Sequence, residues 1–325
     1  TLHAKTLIYS ILMAISNVSA QVNIETNSRL HLGFISLNSS TPYMYGGAGL
    51  SISGYPTIIN IRKYKKFESN LPKEISNKIL TFLKANQLNT LIRIECKHRP
   101  ENHIGLGTGT QLTLSIEELI TKFYELDIKV NIFNRNFRSG IGLNSYLKGG
   151  FMIDAPKKDL SQNQIIFHSK FPSSWKAILL FDSQKKGLHG KSEKNFFAST
   201  KSDRLRMKLS DITLNELIPS VIYEDFNIFA KSLTEFQKLN ATFYSKVQKS
   251  LYLSSDINKI VNQISKKFIV GCGQSSWGPT SYIFVDSKNI LNEILPILDK
   301  SISMYNNLSY EVVSAKNNGR KLTYK

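Results

Sequence analysis

Apolar and polar residues alternate along this chain in two different periods. From Val22 to Ile35 the pattern reads as a strand, or as two strands with a kink near Asn27. Gly46-Gly47-Ala48-Gly49 reads as a turn, and Leu50 to Ile61 as a hairpin bending at Gly54-Tyr55-Pro56. Pro72 then opens a helix whose Ile75, Ile79, Leu80, Phe82 and Leu83 mostly share one face. Thr90 to Cys96 is a strand, Lys97 to Gly109 a loop, and a second helix carries Leu112, Ile116, Leu119, Ile120 and Phe123. Short apolar runs at Ile165–His168 and Trp175–Phe181 make the middle β-rich. From about Ser202 to Lys267 the period becomes helical, with one stripe through Leu214, Leu217, Ile218 and Ile222 and another through Phe226, Phe229, Leu233 and Phe236. Aromatic stripes at that spacing are read as core. Tyr282–Val285 is a strand, Ile290–Ile302 a helix and Leu308–Val313 a last strand. No repeat of fixed period and no Pro/Gly/Ser-rich linker divides the chain, so the pattern predicts an α+β protein of two lobes sharing one interface.

Composition refines this picture only in part. The length of 325 residues suits one large domain or two intimate lobes. The formal charge of +18 suggests nucleic acid, an anionic membrane or a polyanionic small substrate as partner. Only 9 of the cations are Arg, however, so the excess is mainly Lys on a solvated surface, and no basic block marks a nucleic-acid tail. Cys96 and Cys272 form no C-x-x-C pair, which argues against a thiolate zinc site and suits a reducing, cytoplasmic setting. Lys5, the apolar run Leu7–Ile15 and Val18-Ser19-Ala20 imitate a secretory signal. We read residues 1–21 as an extension outside the fold. No other run is long enough to span a bilayer, so no membrane partner is expected.

Several segments promise chemistry. Gly105-Leu106-Gly107-Thr108-Gly109-Thr110-Gln111 sits between a strand and an amphipathic helix. Alternate glycines let a backbone approach a ligand and adopt positive φ, and the helix start offers free N–H groups. It lacks the Gly-Lys-Ser/Thr of a Walker loop and the third glycine of a dinucleotide fingerprint, and a plain tight turn is the alternative. Gly271 to Pro279, with Gln274, Ser275, Ser276 and Trp277, is too rich in glycine and hydroxyls for regular structure, and reads as a ligand-holding loop or a structural turn. Arg138-Ser139-Gly140-Ile141-Gly142 and Arg29-Leu30-His31 supply sparse arginines, the side chains best shaped for phosphate or carboxylate. Asp154 follows an apolar run and reads as a base, a cation ligand or a turn former. Glu193 follows Gly187-Leu188-His189-Gly190 and reads as a helix cap or metal ligand. No G-x-S-x-G elbow supports a hydrolase triad.

Taken together and in order, Arg29-Leu30-His31, Gly46–Leu50, Gly105–Leu112, Arg138–Gly142, Gly149-Gly150-Phe151, Gly187–Glu193 and Gly273–Pro279 resemble the β-ribofuranosylaminobenzene 5′-phosphate synthases of the GHMP superfamily. The resemblance implies a GHMP fold, with a ribosomal-protein-S5-like lobe over 22–168 and a ferredoxin-like lobe over 169–325. It implies phosphoribosyl pyrophosphate and 4-aminobenzoate as substrates, carbon dioxide and pyrophosphate as by-products, Mg²⁺ as cofactor and a homodimer. On this reading Arg29, His31 and Asp154 are candidate catalytic residues. Gly105, Gly107, Thr108, Gly109, Thr110 and Arg138 hold phosphate, and Gln274, Ser275, Ser276 and Trp277 hold substrate. Thr110 and Glu193 serve the metal. The rival readings are an ATP-dependent kinase of the same superfamily and a basic nucleic-acid-binding protein, the latter lacking any RNA- or DNA-binding signature.

Overall fold

A computed structural model describes residues 21–37, 40–101, 104–128, 130–134, 139–159, 164–186, 203–244, 250–276 and 278–325. Among them two sheets carry the architecture. The first has seven strands and the second four.

In the first sheet, β1 (Gln21–Ser36) lies between β11 (Lys321–Tyr324) and β2 (Met44–Lys63). The 20-residue β2 is long enough to serve two neighbours. Its second half pairs with β4 (Ile92–His98), which continues to β3 (Glu68–Ser69), and its first half pairs with β5 (Phe151–Lys157), which continues to β6 (Ile165–Ser169). The second sheet runs β10 (Leu308–Ser314), β7 (Lys176–Asp182), β9 (Ser281–Val285), β8 (Gly271–Gln274), all antiparallel.

Helices α1 (Lys73–Ala85) and α2 (Thr108–Phe123) bury Ile79, Leu83, Ile116, Leu119 and Ile120 against Val22, Ile24, Ile59 and Ile61 of the first sheet. The short α3 (Ile141–Leu147) lies beside α2. The helical stretch predicted beyond Ser202 holds α4 (Asp203–Ile212), a π-helical turn (Thr213–Leu217), α5 (Ile218–Ile222), α6 (Phe226–Tyr244) and α7 (Ser255–Ser265). Helix α8 (Lys288–Ile302) packs with α7 on the outer face of the second sheet.

A single apolar cluster joins the two sheets. Leu30, Leu32 and Phe34 of β1, Phe151 of β5, Leu179 of β7, Phe284 of β9, and Phe229, Leu233 and Phe236 of α6 all belong to it. The aromatic stripe of α6 is therefore core, as its spacing predicts. Trp175 lies in the same cluster, with its ring centroid 5.0 Å from that of Phe229. The α+β class and the shared interface follow directly from this packing.

Three expectations from the glycines are corrected. Gly46–Gly49 is no turn, and Leu50–Ile61 is no hairpin; both belong to the single strand β2. The glycines answer crowding instead. A Cβ on Gly47 would lie 2.5 Å from the Gly33 carbonyl oxygen, and one on Gly49 would collide with Ile141 of α3. The bend at Gly54-Tyr55-Pro56 survives as a bulge. Between the pairs Thr26↔Thr57 and Ser28↔Ile52, β2 carries extra residues, and the Ser28 hydroxyl donates to the Tyr55 carbonyl at 2.7 Å. The same irregularity produces the kink expected near Asn27. Likewise, Gly271–Gln274 is strand β8 rather than loop, because a side chain on Gly273 would strike Gln237 of α6 and Tyr282 of β9, each 2.5 Å away.

Candidate active site

The first sheet, the helix after the Gly105 loop, and the β8–β9 connection meet at one corner. Gly107 initiates α2 with φ +75°, a conformation that disfavours any side chain. The 16-residue α2 then points its N-terminal amides and the positive end of its dipole into the corner. Its first turn closes through Gln111 N–H donating to the Gly107 carbonyl at 3.2 Å. The Thr108 hydroxyl is committed backward, donating to the Glu101 carbonyl at 3.2 Å.

Arg29 backs this turn from β1. Its backbone N–H donates to the Leu106 carbonyl at 3.1 Å, and its Nη1 donates to the Gly105 carbonyl at 2.7 Å. The guanidinium lies so close under the turn that a Cβ on Gly107 would be 2.9 Å from Cζ. A fixed cation thus sits beneath the amides of α2.

The second sheet contributes through Ser275. Its hydroxyl donates to the same Gly105 carbonyl at 2.8 Å and accepts from the His31 backbone N–H at 3.1 Å. Thr280 donates its hydroxyl to the Ile104 carbonyl, and the Ser276 N–H donates to the His31 carbonyl at 3.2 Å. Gly105, at φ +86°, leaves room for the carbonyls of Ser275 and Gly278, which a Cβ would meet at 3.1 and 3.0 Å. Two of the glycine-rich segments are therefore bolted to each other and to Arg29.

A third segment joins from α3. Gln111 accepts from the Thr26 hydroxyl and donates its amide to the Gly142 carbonyl at 2.9 Å. Gly142 packs on Thr110, whose Cγ2 would be 3.0 Å from an added Cβ. One residue before α3, the Gly140 N–H donates to Asp154 Oδ2 at 2.5 Å. Asp154 pairs with Gly47 across β5 and β2, while His31 pairs with Gly49, which puts both side chains on one face of the sheet.

The titratable groups are held by burial. Asp154 is wholly buried, and burial pushes its pKa up to about 6, against the Gly140 N–H and the Lys157 charge, which pull it down. Lys157 Nζ lies 3.8 Å from Asp154 Oδ2, and burial lowers its pKa more than Asp154 raises it. His31 is 3 % exposed; its Nδ1 accepts from the Gly33 N–H at 3.3 Å, which assigns the ring hydrogen to Nε2 in the neutral form.

This geometry separates the candidate residues by what their atoms touch. Arg29, Gly105, Gly107, Gly109 and Thr110 border the corner. Ser275 and Gln274 are buried and engaged by the protein itself: the Gln274 side chain accepts from the Leu253 N–H at 2.7 Å, and its backbone N–H donates to Gln237 at 2.9 Å. They place the loop rather than offer free groups to a ligand. Asp154 likewise holds the start of α3. Ser276, half-buried at φ +56°, stands beside them. Arg138, Trp277 and Glu193 lie outside the described residues.

Sequence reasoning missed Lys157. In a regular strand, Asp154 and Lys157 would face opposite sides, so alternation along the sequence gives no sign that their charges meet. Gln111 was in view as part of the glycine loop, but its role as a bridge to Thr26 and Gly142 appears only in three dimensions. The described residues contain no group of three or more His, Cys, Asp or Glu fit to cage a metal. Nor do they contain a helix long and apolar enough to cross a membrane.

Comparison with known proteins adds a second line. No protein-family model matches the chain. It is 29 % identical to a beta-ribofuranosylphenol 5′-phosphate synthase of Methanocaldococcus jannaschii, covering 92 % of this chain and 99 % of that protein. A protein of the same name from Methanothermobacter thermautotrophicus is 26 % identical over 85 % of this chain and 92 % of its own. Among solved structures, homoserine kinase from Cytophaga hutchinsonii superposes with a TM-score of 0.63 at 13 % identity, covering 94 % of this chain and 98 % of that one. Mevalonate diphosphate decarboxylase from Staphylococcus aureus gives 0.65 at 12 % identity, with the same coverage of both chains.

Proposed function

We propose that this chain, which resembles the beta-ribofuranosylphenol 5′-phosphate synthases over nearly its whole length and has the GHMP-kinase fold, is itself a decarboxylating pentosyltransferase of that kind. It joins phosphoribosyl pyrophosphate to a para-substituted benzoate, with loss of carbon dioxide and pyrophosphate, in the making of a methanopterin-type carrier. The observation that carries the reading is the corner itself: a left-handed glycine opening a long helix, backed at close range by Arg29.

The chemistry places its demands on that corner. Departure of pyrophosphate leaves positive charge on the sugar's anomeric carbon and negative charge on the leaving group. Fixed N–H groups and a fixed cation stabilise the second of these without reorganising. The first turn of α2 and the Arg29 guanidinium supply both, so we assign the diphosphate to Gly105, Gly107, Gly109 and Thr110. The ring carbon bearing the carboxylate then attacks, and loss of carbon dioxide restores aromaticity. A para donor is needed to stabilise the intermediate. The amine of 4-aminobenzoate does this, and so does the hydroxyl of 4-hydroxybenzoate, which would yield the phenol for which the relatives are named. Ser275, Gln274 and Asp154 position the walls.

Mg²⁺ belongs in this proposal as a companion of the diphosphate rather than a resident ion. Among the described residues, Thr110 and Asp154 are candidate oxygen donors for it, and Asp154 is already held by Gly140 and Lys157. Such a sparse donor set suits an ion that keeps waters and phosphate oxygens. A cytoplasmic setting is supported by two free cysteines, one buried and one half-buried. A homodimer is tested by light scattering.

The experiment is an incubation of purified protein with carboxyl-labelled 4-aminobenzoate or 4-hydroxybenzoate, phosphoribosyl pyrophosphate and Mg²⁺. Label should be released as carbon dioxide, one for one with pyrophosphate, from at least one arene. Failure with both arenes, together with ADP formation from ATP and a small alcohol, would replace this reading with a kinase.

A further inference from the structure

We propose that Arg320, in the last segment of the chain, is a positioning residue for the diphosphate corner, acting through α2 and α3; this rests on the function proposed above. The residues after β10 do not trail away. Lys316 exchanges backbone hydrogen bonds with Ser51 of β2 and Gly150 at the head of β5. Asn317 pairs its side-chain amide with the backbone of Phe171, at 2.8 and 2.9 Å. Asn318 accepts from the Asn27 amide at 2.6 Å, at the kink of β1. Gly319 lies against the carbonyl of Leu147 so tightly that a Cβ would collide with it. The strap then ends as β11 on β1.

Arg320 is where this strap grips the two helices. Its Nε and Nη2 donate to the two oxygens of Glu118 on α2, at 2.8 and 2.5 Å. Tyr146 on α3 donates its hydroxyl to the same carboxylate at 2.5 Å, and its backbone carbonyl accepts the Arg320 N–H at 2.7 Å. The guanidinium carbon stands 5.6 Å from the Tyr146 ring centroid. A two-point fork combined with aromatic contact fixes direction as well as distance, which a lysine cannot reproduce.

The location gives the clasp leverage. At the site end, α2 and α3 are joined by Gln111 and Gly142. At the far end they are joined by Arg320, Glu118 and Tyr146. Beside the clasp, and running on toward the C-terminal end of α2, lies a cavity of about 360 Å³, lined by Leu114, Glu118, Leu126, Val130, Leu143 and Tyr146 among others. Glu118 and Tyr146 form part of its wall, so the polar clasp sets the spacing of the helices together with the apolar packing of Leu112, Leu114 and Leu143. Glu118 stands roughly 15 Å along the helix axis from the amides at Thr108. Over that length a tilt of a few degrees moves the first turn by about 1 Å, enough to spoil a preorganised anion site.

The test compares Arg320→Ala and Arg320→Lys with the natural full-length chain. In R320A, amide hydrogen exchange should rise about tenfold at 105–111 and 139–142 and stay unchanged in β7 and β9, as expected for local loosening. The KM for phosphoribosyl pyrophosphate should rise about tenfold, while kcat and the KM for the arene stay within about twofold, the signature of lost ground-state positioning. R320K should recover only part of either effect, and it carries the test alone if R320A does not fold. Natural exchange at 105–111 with natural KM overturns the proposal. So does an equal rise in exchange across all strands, which would make Arg320 a general stabiliser. If the natural chain forms no product, the synthase reading falls, and hydrogen exchange still decides on the clasp.

Discussion

Replacing Gly107 with Ala should cost far more than a methyl group in a surface turn, and the excess should depend on Arg29. Gly107 has φ +75°, where a residue with a Cβ is disfavoured by about 1–2 kcal/mol. The new Cβ would lie 2.9 Å from the Arg29 guanidinium carbon, inside any real carbon–carbon contact. Arg29 must then move, and the 2.7 Å bond from Nη1 to the Gly105 carbonyl is lost. A hydrogen bond to a charged group contributes about 1.5–3 kcal/mol, so G107A should lose roughly 3–4 kcal/mol in all. Equilibrium urea denaturation gives that figure from the midpoint and slope. The decisive measurement is the double-mutant cycle with Arg29→Ala. With the guanidinium removed, G107A should cost only its backbone share, about 1–2 kcal/mol, leaving a coupling of roughly 2 kcal/mol. Strict additivity of the two substitutions would refute the close approach, and with it the claim that a cation sits directly beneath the α2 amides.

Three further outcomes are expected. Ser275→Ala should destabilise the chain by about 2 kcal/mol in the same denaturation, since the buried His31 N–H loses its acceptor and the Gly105 carbonyl one of its donors; a loss below about 0.5 kcal/mol would show that the two lobes are not joined there. Asp154→Asn should change the pH dependence of stability. The folded pKa of about 6 lies above the ordinary 3.8, so the folded chain holds this proton more tightly than the unfolded chain. Asp154 therefore favours the fold below about pH 4, loses that contribution as pH rises toward 6, and is level above it. Relative to D154N, the natural chain should lose on the order of 2 kcal/mol between pH 4 and 7, and parallel pH curves would contradict this. Cys272, whose thiol burial pushes up to about 12, should resist thiol reagents at pH 8 until the chain unfolds; native labelling as fast as that of Cys96 would contradict its burial.

Much of the fold was legible because apolar period and burial obey the same geometry. The stripe Phe226, Phe229, Leu233, Phe236 needed only the helical period to be placed inside, and Pro72 with Ile79 and Leu83 marked a helix end and its face. Glycine is where the reading failed, since it has two uses that look alike in sequence. At Gly107 it permits a left-handed backbone, and the loop was read correctly as the start of a helix. At Gly47, Gly49 and Gly273 it removes a side chain where another element presses close, so expected turns proved to be strands. Which use applies depends on a neighbour distant in sequence, such as Ile141 over Gly49 or Gln237 over Gly273. The grouping of Arg29 with the Gly105 and Ser275 segments was expected from the resemblance, but not the way they join. Ser275 looked like a ligand group because hydroxyls do bind ligands, and its commitment to Gly105 and His31 follows from a pairing across two sheets.

The grip proposed for this chain would let one fold serve reactions as unlike as those named for its structural neighbours, a kinase and a diphosphate decarboxylase. Backbone amides at a helix start recognise phosphate oxygens and carry no information about what is attached to them. In a kinase, the electrophile is the terminal phosphorus of the gripped chain, and the leaving group is the remaining diphosphate. In a phosphoribosyl transfer, the electrophile is the carbon at the other end of a gripped diphosphate, and the leaving group is the whole of it. Both reactions build negative charge on a departing diphosphate, so the site proposed at Gly107, Arg29 and the first turn of α2 would suit either. The choice of reaction then rests with the nucleophile that the surrounding walls admit. In the proposed reaction that selection would fall to side chains held at the seam of the two sheets, where Ser275 ties the second sheet to Gly105 and His31. Moving that seam by a fraction of an ångström would leave phosphate affinity largely intact and alter the reach of the nucleophile, because the amides lie wholly on α2 and the walls do not.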